Sequence, residues 1–156
     1  MAAKIPNYAK GRWAAWCDDI NAGAATCRIV LLKTSEALDA LENYETLAAL
    51  LAAGGGASNV ECNADGYTRL ELATVTITTD HTNNKVVVDI PDQSYNNVGA
   101  TTANTAVKAL ICYDPDAAGT GTDSTVRVMA ISDLNFALVG GATQTLNIEN
   151  FAEATN

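Results

Sequence analysis

Residues 66–131 repeat one pattern: short runs that alternate apolar and polar side chains, separated by clusters of turn formers. In residues 74–79, Val75 and Ile77 fall on one side and Thr74, Thr76 and Thr78 on the other. In residues 85–90, Val86, Val88 and Ile90 share a side opposite Val87 and Asp89. A strand turns successive side chains to opposite faces, so a period of two marks half-buried strands and not helices. Residues 80–84 have turn chemistry and join these two runs as a hairpin. Further strands are expected at residues 57–62, 67–72, 105–113, 124–131, 135–139 and 143–148, whereas 93–100 reads as short and irregular around Tyr95. Pro91 has no N–H to offer a ladder and limits the strand before it.

The N-terminal third follows a different rule. Trp13, Trp16, Cys17 and Ile20 recur at three- and four-residue steps, which gives a helix one apolar face, and Asn21-Ala22-Gly23 ends it. Residues 27–32, Cys-Arg-Ile-Val-Leu-Leu, read as a buried strand. Ser35 caps a segment carrying Leu38 and Leu41, Asn43-Tyr44 interrupts it, and residues 46–53 have high helix propensity up to the stop at Gly54-Gly55-Gly56. The expected architecture is a single domain over 1–156, mostly β within the α+β class. It is a two-layer antiparallel β-sandwich with two short N-terminal helices at an edge or end. A basic arm is expected at 1–12 and a polar tail at 152–156.

Composition narrows the function. Hydrophobic residues make up 48% of 156 residues, enough for one core and too many for a disordered chain. The formal charge is −9, so the chain repels phosphate, and nucleic acid is not an expected partner. No run approaches the ~20 apolar residues of a membrane span, so no membrane partner is expected. The first residues lack the apolar core of a signal peptide, which makes a reducing cytosol the expected folding compartment. Cys17, Cys27, Cys62 and Cys112 lie in or beside apolar runs with no C-x-x-C spacing and read as buried free thiols. Lys4, Lys10 and Arg12 fall in the first dozen residues, which hold no acid. They form either a solvated basic end or an arm that docks on an acidic neighbour. Trp13 and Trp16 are either core or part of that docking element, since tryptophan is enriched at protein contacts.

Catalytic chemistry is not expected. His81 is the only histidine and sits in a hairpin turn, with no G-x-S-x-G or comparable signature to supply a nucleophile. Gly54-Gly55-Gly56-Ala57-Ser58 lacks the lysine of a phosphate loop and follows a helix instead of preceding one. Gly119-Thr120-Gly121 lacks the third glycine of a dinucleotide fingerprint. Asp114, Asp116 and Asp123 cluster around Pro115, either as a calcium loop without EF-hand spacing or as a solvated turn. No cofactor and no metal is expected.

Asn59-Val60-Glu61, Gly66-Tyr67-Thr68-Arg69, a Thr-rich strand, an Asp/Thr/Asn turn, Val86-Val87-Val88-Asp89, and Tyr95 after Pro91-Asp92 occur in that order. This pattern resembles a family of small tailed-phage virion proteins over roughly residues 7 to 140. The resemblance implies a non-enzymatic structural protein, made in the host bacterial cytoplasm and built into the virion. The expected role is a decoration or cement protein on the outer head surface, with the major capsid protein as partner. Self-association is expected, and a trimer would match the threefold positions of a capsid. Docking is assigned to Lys4, Lys10, Arg12, Trp13 and Trp16. The alternative is a tail or fibre-base component with a receptor-binding role, using loops at 92–104 and 114–123.

Overall fold

A computed structural model describes residues 3–83, 85–148 and 152–155. Its centre is the strand that composition marks as buried. β2 (Thr26–Thr34) is buried from Thr26 to Leu32, the signature of a strand covered on both faces. The N-terminal elements are β1 (Ala3–Lys4), α1 (Trp13–Asn21), β2, α2 (Leu38–Leu41) and α3 (Leu47–Gly56). Then come β3 (Val60–Glu61), β4 (Leu70–Leu72), β5 (Thr76–Asp80), β6 (Lys85–Asp89) and β7 (Gln93–Val98). The last are β8 (Asn104–Asp114), β9 (Arg127–Leu138), β10 (Ala142–Leu146) and β11 (Ala152–Thr155). The main sheet runs β1-β9-β8-β2-β3, with β4 also on β2, and every pairing is antiparallel. β7 pairs with β10, and β11, β6 and β5 form a three-stranded sheet in that order.

Alternation along β2 builds two cores. Cys27, Ile29 and Leu31 face Trp13, Trp16, Cys17 and Ile20 of α1, together with Val88, Ile90, Tyr95, Val98 and Leu146 from the smaller sheets. Val30 and Leu32 face Leu41, Leu47 and Leu50 of α2 and α3. Sheet packs on sheet through the first core, and helices close the second. The fold is mostly β with antiparallel sheets and short helices, as the sequence leads one to expect. Among the described residues the helices number three, because the chain breaks between Leu41 and Leu47, and they cover faces of the sheet instead of its edge.

Three segments depart from the sequence reading. Most of residues 124–131 and 135–139 belong to one long strand, β9, whose register against β8 shifts twice, between Ala106 and Lys108 and between Ile111 and Cys112. Ile111 pairs with Ala130 and Cys112 with Val128, leaving Met129 unpaired, so Met129 and Ala130 both enter the first core. β7 forms because residues 93–98 pair with β10, and the irregularity expected there survives as a register shift between Ala142 and Gln144. The tail forms β11 against β6. Asn84 of the hairpin turn, Phe151 and Asn156 at the tail, and Met1 and Ala2 of the arm lie outside the described residues.

Candidate functional site

Of the residues that carry the family resemblance, Glu61, Tyr67, Arg69 and Tyr95 come together at the edge of the main sheet where β3 and β4 lie along β2, while the Thr-rich strand and Val86-Val87-Val88-Asp89 form part of the three-stranded sheet. Gly66 makes the turn into them. Its φ is +73°, and a Cβ there would stand 2.8 Å from the Asn97 carbonyl oxygen, so a side chain is strained on two counts. Asp65, just before it, accepts hydrogen bonds from the Thr101 and Thr102 amides at 2.6 and 2.7 Å and from the Thr101 hydroxyl. Those bonds hold the Asp65 carboxyl below its usual range.

Tyr67 then enters the sheet edge. Its hydroxyl accepts from the Leu31 amide at 2.9 Å and donates to Glu61 Oε1 at 3.1 Å, while its ring stacks on Tyr95 at 5.7 Å. Burial, followed by the charge of Glu61, pushes the Tyr67 hydroxyl upward. Arg69 closes the group as a two-sided fork. Its Nε and Nη2 donate to the two oxygens of Glu61 at 2.9 and 2.7 Å, and its guanidinium also binds both oxygens of Asp123. Hydrogen bonding to Glu61 raises the Arg69 guanidinium further. Asn59, 1% exposed, donates to the Leu50 carbonyl at 3.0 Å and accepts from the Glu36 amide at 2.8 Å, tying β3 to α3.

Beside this group lies a second arginine that the sequence reading passed over. Arg28 is 5% exposed on β2 and faces Asp114, which is fully buried at the end of β8. Arg28 Nη2 meets Asp114 Oδ2 at 2.7 Å, and Nε donates to Glu71 Oε1 at 2.7 Å. The Gly121 carbonyl accepts from Nη1 at 3.1 Å, and the Gly119 carbonyl accepts from Nη2. Asp114 in turn accepts from the Asp116 and Gly121 amides, each at 3.0 Å. Residue 121 must be glycine for this, since a Cβ there would run into the Asp114 carboxylate. Burial raises the Glu71 carboxyl, with Arg28 opposing. The signal for this pair was the charge itself: an arginine inside the run 27–32 requires a buried partner.

The loop at 114–123, whose acids read as a calcium loop or a solvated turn, is held from within. Asp114 points to Arg28, Asp123 to Arg69, and Asp116 accepts from the Ala118 amide at 2.9 Å and the Thr120 hydroxyl at 2.5 Å. Among the described residues, no three histidine, cysteine or carboxylate side chains meet as a metal-binding group. His81 is exposed in the hairpin turn. All four cysteines are buried free thiols, and burial pushes Cys17 and Cys62 up to about 12. These thiols stay protonated in neutral solution.

The docking candidates divide. Trp13 and Trp16 are each 8% exposed, with Trp16 stacked on Tyr113 at 5.2 Å, so both rings serve the first core. Lys4 sits on β1 and pairs with Asp39 at 2.7 Å and Glu42 at 2.9 Å, which lifts its ammonium to about 12. Lys10 and Arg12 are exposed, Lys10 donating to the Asn7 side chain at 2.9 Å. The arm is part of the fold: Pro6 and Ala9 are buried and the Tyr8 hydroxyl donates to the Val128 carbonyl. Among the described residues no helix is long and apolar enough to cross a membrane. No family model matches this chain, and neither a curated protein nor a solved structure is significantly similar to it.

Proposed function

We propose that this protein is a non-enzymatic structural component of a tailed-phage virion, a decoration or cement protein that binds the major capsid protein on the outer head surface. The observation that carries this reading is the fate of the resemblance-bearing residues. Glu61, Tyr67 and Arg69 bind one another and Asp123, as parts of a clamp inside the fold. A chain whose most distinctive residues serve its own rigidity is suited to act through its surface. Its acidity favours a place away from packaged DNA. Mechanically, each copy would bridge neighbouring capsid subunits, and a contact of ~800 Å² per partner is enough for stable binding.

Lys10 and Arg12 are the exposed cations left for docking at the start of α1. Removing residues 1–12 would also remove β1 and buried Ala9, so charge reversal is the cleaner perturbation. The test is sedimentation of the purified protein with empty capsids. Saturable binding in proportion to capsid subunits, weakened in Lys10→Glu/Arg12→Glu, supports the proposal. Binding to host cells or glycans without capsid binding would instead favour the tail or fibre-base reading and sink this one.

A further inference from the structure

We infer that the Asp114–Pro115 peptide bond is a latent self-hydrolysis site, which the Arg28 clamp keeps closed for as long as the loop at 114–123 is docked. The chain has three prolines, and only Pro115 follows an aspartate; Pro6 and Pro91 follow isoleucines. An aspartyl–prolyl bond is the peptide link that acid breaks most readily. Its side-chain carboxylate attacks the carbonyl carbon of its own residue, and the nucleophile is tethered to the carbon it attacks. The proline nitrogen, which carries no hydrogen in the chain, accepts a proton and leaves as an amine. The step balances with water alone. An Asp114 carboxylate oxygen bonds to the Asp114 carbonyl carbon, the bond from that carbon to the Pro115 nitrogen breaks, and the nitrogen takes a proton from solvent. A cyclic anhydride remains, and one water opens it to two carboxyl groups. The products are a piece that ends at Asp114 and a piece that begins with Pro115.

In the fold the nucleophile and the leaving residue are treated differently. Pro115 is exposed, whereas Asp114 is fully buried. Asp114 Oδ2 meets Arg28 Nη2 from β2 at 2.7 Å and accepts from the Gly121 amide at 3.0 Å, and Oδ1 accepts from the Asp116 amide at 3.0 Å. Glu71 from β4 holds the other side of Arg28 through Nε. The Asp116 carboxylate is turned to the Ala118 amide and the Thr120 hydroxyl. Attack would take an Asp114 oxygen out of these charge-assisted contacts and leave Arg28 short of a partner in a buried site. Hydrolysis is thereby confined to molecules in which the loop has opened. The break itself leaves the sheet together, because β8 ends at Asp114 and its ladder to β9 runs from Asn104 opposite Leu138 to Tyr113 opposite Arg127. None of this depends on the virion reading.

The test follows the full chain by denaturing gel and intact mass during incubation in acid, at about pH 3 or at the lowest pH where the fluorescence of buried Trp13 and Trp16 stays native. Wild type is compared with and without urea, beside Arg28→Met, Gly121→Ala and Pro115→Ala. A Cβ at residue 121 would run into the Asp114 carboxylate, so Gly121→Ala loosens the clamp without removing its cation. In urea wild type should part between Asp114 and Pro115, and Pro115→Ala should stay whole. Folded wild type should be cut more than ~tenfold more slowly than in urea. Arg28→Met and Gly121→Ala, each read at a pH where its own fluorescence is native, should be cut faster than wild type at that pH. Folded wild type cut as fast as in urea overturns the inference. So do folded variants as resistant as wild type, and a wild-type chain that stays whole in urea.

Discussion

Around Arg28 and Arg69, four carboxylates, a tyrosine hydroxyl and two loop carbonyls are drawn together, and the segments that carry them are fixed by several bonds each. Across β5 and β6 the same chain presents a two-strand ladder whose outer residues are exposed threonines and Ile77. The hairpin sheet lies within the alternating stretch, whereas the clamp joins that stretch to Arg28 and Glu61 outside it. They differ in where their polar groups are satisfied. In the clamp the partners are internal, and at its buried pair, Arg28 and Asp114, losing one leaves a charge stranded. In the hairpin sheet the outer backbone groups depend on water or on another strand. The clamp therefore governs stability, and the hairpin sheet is free to serve contact.

The largest expected effect breaks this contrast at its strongest point. Arg28→Met leaves Asp114 buried without its cation and should lower unfolding free energy by about 3–5 kcal/mol in urea titration. Thr78→Lys should change it by less than ~0.5 kcal/mol. Gly66→Ala should cost about 2 kcal/mol, since it meets both the left-handed φ and the Asn97 carbonyl, while Gly140→Ala, with open space around it, should cost less. Tyr67→Phe strands the Leu31 amide and should cost about 1–2 kcal/mol by the same titration.

A smaller effect appears with pH. Cys17 and Cys62 hold their protons to about 12 in the fold, against 9.0 when unfolded. The folded state then binds more protons between those values. Stability should be intact below pH 9 and decline as pH rises toward 12. Urea midpoints measured across that window should fall less steeply in a Cys17→Ala/Cys62→Ala variant.

The sequence carried the sheet and the helices because their signals are local. Val75 and Ile77 against Thr76 and Thr78 announce a strand from four residues, and the Trp13–Ile20 spacing announces a helix face. What it did not carry depends on partners distant in the chain. β7 reads as too irregular for a strand until β10 pairs with it across a register shift, and residues 152–155 read as a polar tail until β6 supplies a ladder. The loop at 114–123 looks soft by its glycine and threonine content, yet Arg28, some ninety positions earlier, gathers its carbonyls. Trp13 and Trp16 show the same limit, since spacing gives the shared face of a helix but not whether that face meets core or partner. Only Arg28 within an apolar run was a local clue to the clamp.

The Arg28–Asp114 and Arg69–Asp123 clamp fastens residues 114–123 to the main sheet, while β5 remains an open edge among the described strands. Native-state hydrogen exchange reads this directly. The Asp116 and Gly121 amides, bonded to Asp114, and the Leu31 amide, bonded to Tyr67, should exchange only with global unfolding. Amides of β5 in dilute monomer should exchange far sooner. Rapid exchange at Asp116 and Gly121, at rates matching β5, would contradict the account.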